Sequence, residues 1–191
     1  MSAEEQARWN MIYRERVQGA YPPPDALLAA YAPKPGPGET PSALDLAAGL
    51  CQNAIWLAEQ GYQVDAMDFS RVALERGRAE MAMRNLRSVN FIPVDLDAVD
   101  LPEDTYDLVC VFRFLDRRLF PALRAAIRPG GMIVYQTLNV RWLDRHPDTR
   151  RVFLLEIGEL PTFFPGWEVL HSDDADHMSR FVGRRPGVGG G

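Results

Sequence analysis

From about residue 42 the chain alternates between two hydrophobic rhythms. Near-continuous apolar runs at 43–46, 62–67, 89–94, 106–112 and 132–137 predict five buried strands. Between them lie segments of helical period. Residues 51–60 turn Ala54, Ile55, Leu57 and Ala58 to one face, and Gly61 stops them. Ser70 caps a longer helix that runs to about Arg84. A third helix at 119–127 ends at Arg128-Pro129-Gly130-Gly131. Strands buried on both faces and alternating with helices imply a parallel sheet covered on both sides.

Both ends of the chain depart from this alternation. Residues 4–19 predict a helix with Trp9, Ile12, Tyr13 and Val17 on one face. Tyr21-Pro22-Pro23-Pro24 ends it, and Asp25 starts a short second helix. A Pro- and Gly-rich loop at 33–41 separates these helices from the main body. Near the C-terminus, 158–164 predicts a short helix, and 167–171 and 178–184 predict two strands around the acidic loop Ser172-Asp173-Asp174-Ala175-Asp176. So short a connection makes that pair antiparallel, because a parallel pair needs a crossover of about a dozen residues. The expected fold is therefore α/β and doubly wound, with a mostly parallel seven-stranded sheet and an antiparallel C-terminal strand. Three regions follow: N-terminal helices and linker at 1–41, a core at 42–186, and a disordered tail at 187–191.

Composition narrows the class without naming a function. The 191 residues carry a net charge of -5, which argues against nucleic acid as a partner. The Arg117-Arg118 and Arg150-Arg151 pairs are short enough to be solvated faces. Two cysteines, Cys51 and Cys110, make no disulfide framework, and no cluster has metal-ligand spacing. Cys110 reads as a small buried hydrophobe, and Phe163-Phe164 as core. The N-terminus lacks an apolar signal region, and no stretch reaches the roughly 20 apolar residues of a membrane span. A cytoplasmic protein is the expectation.

In a doubly wound sheet, ligands gather outside the carboxyl ends of the strands. Those ends give a short set of candidates: 45–53, then Asp68-Phe69-Ser70, then Asp95-Leu96-Asp97, then 112–116. The small residues Ala47, Ala48 and Gly49 let a backbone approach a ligand closely. Asp68 lies 23 positions after Asp45, near the spacing at which an acid accepts ribose hydroxyls. Asp45 precedes a helix N-terminus, where it would repel a pyrophosphate and attract an ammonium or sulfonium. Asp95 would accept from an adenine amine, with Leu96 packed on the ring. Arg113 interrupts an apolar strand end, which suits either an anionic substrate or an ion pair with Asp116. The three histidines have no catalytic or ligand spacing.

The run ALDLAAGLCQNAIWLAEQGYQVDAMDFS resembles motif I and the second-strand acid of class I S-adenosylmethionine-dependent methyltransferases. The Pro-Gly-Gly turn before the fifth strand also fits. Trp9-Asn10-x-x-Tyr13-Arg14 and FFPGWEVLH are similar to the small tellurite-resistance and thiopurine types. The resemblance covers about residues 9–185 and implies a Rossmann-like methyltransferase fold with S-adenosylmethionine as cofactor. It places Asp45, Ala47, Ala48, Gly49 and Asn53 at the methionine end and Asp68 on the ribose. Phe69 and Asp95-Leu96 would stand at the adenine, and Phe112 near the methionine part. Tyr13 would close over the cofactor, or else belong to the core. Ala47 and Cys51 stand where the family carries glycine, and a left-handed backbone at either would cost about 1–2 kcal/mol. Cys51, at a helix N-terminus, sits where thiol pKa values tend to fall.

The implied chemistry is methyl transfer to a small molecule by in-line displacement. The sulfonium methyl is already activated, so alignment does most of the work and no catalytic residue is assigned. Tyr13, Arg113 and Tyr135 are the candidates to line the acceptor. Two alternatives stand beside this reading: a non-catalytic S-adenosylmethionine or S-adenosylhomocysteine binder, and a nicotinamide-dependent oxidoreductase, which Asp45 and the missing GxGxxG disfavour.

Overall fold

The computed structural model describes residues 9, 11–14 and 20–187. Most of the expected helix at 4–19 and the last residues of the tail lie outside these; residues 9 and 11–14 are helical. Seven strands belong to one mixed sheet. The chain forms two compact units, one up to Asp100 and one from Leu101.

The first unit holds α1 (Ala26–Tyr31), β1 (Ser42–Leu46), α2 (Gln52–Glu59), β2 (Gln63–Asp68), α3 (Arg71–Met83) and β3 (Val89–Pro93). Its strands run β3-β2-β1, all parallel, with Ser42 opposite Gln63 and Val64 opposite Val89. Four of the five β1 residues are buried, as a strand covered on both faces requires. Ser70 caps α3 as expected, its side chain accepting from the Ala73 N–H at 3.3 Å. Gly61, at φ 102°, closes α2. Gly77 lets α3 lie close on its neighbours. A Cβ there would stand 2.8 Å from Cys51 Cβ and 2.8 Å from Phe91 Cε1.

The second unit holds β4 (Tyr106–Phe112), α4 (Phe120–Ala126), β5 (Ile127–Leu138), β6 (Glu168–Asp173) and β7 (Met178–Arg184). β4 and β5 are parallel, while β7 runs antiparallel to both β5 and β6, as the short acidic loop requires. Two expectations need correction. Arg128-Pro129-Gly130-Gly131 is not a turn before the fifth strand but an irregularity within β5, whose pairing passes from Tyr106–Ile127 to Leu108–Met132. Gly130, at φ 82°, supplies the kink. The helix expected at 158–164 is a 3-10 turn, Leu160–Phe163. Two more 3-10 turns, Val140–Asp144 and Arg151–Phe153, precede it after β5.

The core of this unit is aromatic. Phe120 stacks on Phe163 at 3.8 Å between ring centroids, and Phe164 on Phe181 at 4.8 Å. Cys110 is fully buried among strand residues. Among the described residues, no helix is long and apolar enough to cross a membrane, and no acidic, His and Cys group is placed to hold a metal.

Candidate functional site

The first unit brings the acids of β1 and β2 to adjacent carboxyl ends. Asp45 is 1% exposed, and its Oδ2 accepts the Ala54 N–H at 3.0 Å. Ala54 lies in the first turn of α2, so a carboxylate already satisfies one of the free N–H groups there. Asp68, also 1% exposed, accepts the Gly49 N–H on Oδ2 and the Ser70 N–H on Oδ1, each at 2.8 Å. Burial raises the Asp68 carboxyl above its ordinary range, and the backbone N–H groups of Ser70, Gly49 and Phe69 oppose that rise. The ladder between the strands continues past their ends, with the Ala48 N–H donating to the Met67 carbonyl at 3.0 Å.

The connecting loop is tightly coiled. Ala47, Gly49 and Cys51 all have left-handed backbones, with φ of 58°, 55° and 64°. Two of the three carry a Cβ, so the loop keeps a glycine-type shape at a cost of about 1–2 kcal/mol for each such residue. A bond from the Cys51 N–H to the Ala48 carbonyl, 2.8 Å, closes the coil. The Cys51 thiol is fully buried, 3.5 Å from the Gly49 carbonyl. Burial raises its pKa, and the negative charges of Asp45 and Asp68 add to the rise. The helix end therefore does not activate this thiol, because desolvation and two acids outweigh the dipole.

Tyr13 stands over this loop. A Cβ on Gly49 would meet the Tyr13 hydroxyl at 3.0 Å, and Trp9 stacks on the Tyr13 ring at 5.8 Å. Phe69 is half-buried beside Asp68, and Leu96 is buried. Asp95 is exposed and folds its loop by accepting the Asp97 N–H at 3.1 Å.

Asn53 does not join the set. Its Oδ1 accepts the Asp25 N–H at 2.8 Å and its Nδ2 donates to Asp25 Oδ2 at 3.1 Å, so both ends of the amide anchor the start of α1. Tyr21, read from the sequence only as part of a helix stop, does serve the loop. Its hydroxyl donates to the Leu50 carbonyl at 2.6 Å, and Arg76 and Arg84 flank its ring at 5.2 and 5.3 Å. A tyrosine before three prolines carries no local signal for such a contact.

In the second unit Phe112 ends β4 and is buried. Arg113 follows it, exposed, at φ 56°, its N–H donating to the Gln136 carbonyl at 2.8 Å. Tyr135 is 1% exposed, with its hydroxyl donating to the Phe114 carbonyl at 2.8 Å. Its ring packs on Phe120 at 5.3 Å, which makes it core rather than an acceptor contact. Asp116 belongs to Arg118, whose Nη2 donates to it at 2.6 Å. Arg117 pairs with Glu159 at 2.6 Å and also donates to the Val152 and Leu154 carbonyls. Arg151 pairs with Glu156, and Arg150 lies over the Phe153 ring at 5.2 Å.

Residues 43–131 match the family of methyltransferase domains. Hemagglutinin 1 of Eikenella corrodens is 30% identical over 140 residues, which are 69% of this chain and 45% of that protein. The chain thus spans less than half the length of this curated relative. Among solved structures, an S-adenosylmethionine-dependent methyltransferase from Mesorhizobium loti superposes with TM-score 0.69 at 20% identity, covering 84% of this chain and 96% of that one. TehB from Haemophilus influenzae gives TM-score 0.66 at 16% identity over 78% of this chain and 58% of that one. Phosphoethanolamine N-methyltransferase 2 of Haemonchus contortus, solved with S-adenosyl-L-methionine, gives 0.74 at 14% identity over 92% and 56%. These likenesses establish the fold.

Proposed function

We propose that the chain is a class I S-adenosylmethionine-dependent methyltransferase that methylates a small-molecule acceptor by in-line displacement, a reading that the match of residues 43–131 to methyltransferase domains supports. The observation that carries the reading is the buried acid pair, Asp45 and Asp68, at neighbouring strand ends. A dinucleotide site needs the α2 N-terminus for a pyrophosphate, and here the Asp45 carboxylate already holds the Ala54 N–H. The same carboxylate favours a ligand that is cationic at this end, which disfavours the nicotinamide reading.

The donor set fits the cofactor. The Asp68 carboxylate accepts from the Gly49 and Ser70 N–H groups with Phe69 N–H close by, and its roughly four acceptor positions leave capacity for a ribose hydroxyl. Asp45 would draw the ammonium of the methionine end, beside the backbone of Ala47, Ala48 and Gly49. Phe69, Leu96 and Asp95 would receive the adenine, and Tyr13 would cover the methionine end from above Gly49. Phe112 keeps its assignment on the resemblance alone; Asn53 and Tyr135 leave the set. When bound, S-adenosylmethionine supplies an activated methyl group, so this chain's residues mainly orient and exclude water. An acceptor that is already an anion or a free amine needs no general base.

The test is turnover of methyl-labelled S-adenosylmethionine against thiol, amine and carboxylate acceptors. Labelled product is the expected outcome. An Asp68→Ala change should lower kcat/KM about 10- to 100-fold, the worth of one charged hydrogen bond. Tight S-adenosylhomocysteine binding without turnover of any acceptor would instead support a non-catalytic binder.

A further inference from the structure

Asn139 follows β5 directly and is fully buried. Three of its four polar groups are spent on neighbours. Its N–H donates to the His177 carbonyl at 3.0 Å, its carbonyl accepts the Trp142 N–H at 3.0 Å, and its Oδ1 accepts the Arg141 N–H at 3.0 Å. The fourth, the Nδ2 amide, is buried and has no partner among the described residues. The Oδ1 bond fixes which way the amide faces, so a flip does not relieve it. A buried donor of this kind is rare in a folded chain and calls for a physical account.

The three residues that Asn139 holds, Arg141, Trp142 and His177, line one cavity of about 150 Å³ together with Asp144, Arg145 and Asp176. All six belong to the second unit, on or beside the 3-10 turn Val140–Asp144 and in the loop before β7. Arg141 Nη1 donates to the Asp174 and Asp176 carbonyls, which ties the two walls together. His146 stacks on the Trp142 indole with ring centroids 3.9 Å apart, and the His177 ring lies 5.0 Å from it at 51°. Walls held in this way are preorganised, which lowers the cost of binding.

Charge selects the occupant. The lining carries two guanidiniums and two carboxylates, so it is neutral as a whole and presents both signs. Arg141 is turned to carbonyls, while Arg145, Asp144 and Asp176 make no side-chain ion pair or hydrogen bond among the described residues. A simple anion would meet two carboxylates here, and a simple cation the Arg145 guanidinium. A molecule with one charge of each sign meets neither conflict. Its carboxylate suits the Arg145 fork and the Asn139 amide, which three lining residues surround. Its ammonium suits Asp144, Asp176 and the indole of Trp142. Size sets the upper limit, because a cavity of about 150 Å³ takes a molecule no larger than about a benzene ring.

We infer that this cavity is a binding site for a small zwitterion, of the size and charge of a free amino acid. The inference is independent of the S-adenosylmethionine reading, because every residue in the cavity lies in the second unit.

The experiment is a calorimetric titration of the full chain with L-alanine and β-alanine, and with propionate and propylamine as single-charge matches. At least one zwitterion should bind saturably, about tenfold or more tighter than either match. Arg145→Gln should reduce that affinity to the level of propylamine, and Asp176→Asn to the level of propionate. Both positions are exposed, and Asn tolerates the left-handed backbone of residue 176, so these variants keep the fold. Asn139→Asp keeps an acceptor for the Arg141 N–H but loses the donor, and should weaken the zwitterion in the same direction as Arg145→Gln. No saturable binding of either zwitterion, a single-charge match that binds as tightly, or unchanged affinity in either exposed variant overturns the inference. S-adenosylhomocysteine is titrated separately, so failure of the cofactor site and failure of this one are distinguishable.

Discussion

Ala47 and Cys51 show how one backbone conformation is held at two different costs. Ala47 is half-buried, with a left-handed backbone at φ 58°. Ala47→Gly should therefore raise stability by about 0.5–1 kcal/mol, read as a higher Tm, after the greater freedom of glycine in the unfolded chain is subtracted. Cys51 differs because its Cβ and Sγ fill the space left by Gly77. Gly77→Ala should cost about 1–3 kcal/mol by overpacking, measured by urea denaturation, and Cys51→Gly in the same chain should recover part of it. At this scale the sequence was only partly legible. Ser70 could be read as a cap because a polar residue before a helical period has a local signal. The family pattern said where glycines were missing, but only the φ values show that both positions need the left-handed conformation. Asn53 lay in the right loop, yet its amide is turned to Asp25, 28 residues away. Tyr135 misled because a strand buried on both faces shows no alternation to tell core from cleft.

The segment after β5 is the element least visible in the sequence. Its 3-10 turns have no period long enough to announce themselves. Backbone bonds tie Leu155 to Leu138 and Val140, and Arg117 adds side-chain bonds to Glu159, the Val152 carbonyl and the Leu154 carbonyl. Val152, Phe153 and Ile157 are exposed, while Leu154, Leu155 and Leu160 are buried and anchor the stretch from beneath. The Arg117 hydrogen bond holds the Glu159 carboxyl below the usual carboxylate range. A carboxyl lowered in the folded state contributes its full stability above the unfolded value, about 4.3, and loses it as pH falls through the folded value. Acidification below about pH 4 should therefore loosen 150–160 ahead of the β4–β5 ladder, seen as faster hydrogen exchange at Leu154 and Leu155. Glu159→Gln should remove that pH dependence and cost about 0.5–1 kcal/mol at neutral pH. Exchange at Leu154 that is indifferent to both changes would contradict the role given to Arg117.

For the whole molecule, the alternation of strand and helix was enough to reach the α/β sheet, its parallel majority and its antiparallel end, because those follow from period and connection length. The binding reading needed the side chains, since a doubly wound sheet serves many chemistries. If the acid pair receives the cofactor, folded protein should be stabilised by S-adenosylhomocysteine. A ligand at a hundredfold its Kd adds about 2.7 kcal/mol, which is roughly 5–11 °C in Tm for a chain of this length. The most direct test is a calorimetric titration of the folded protein with S-adenosylhomocysteine and, separately, with NAD. Saturable binding of the first and none of the second, lost in Asp68→Ala, is the expected result. A folded chain that takes up NAD, or that leaves S-adenosylhomocysteine unbound, would contradict the account.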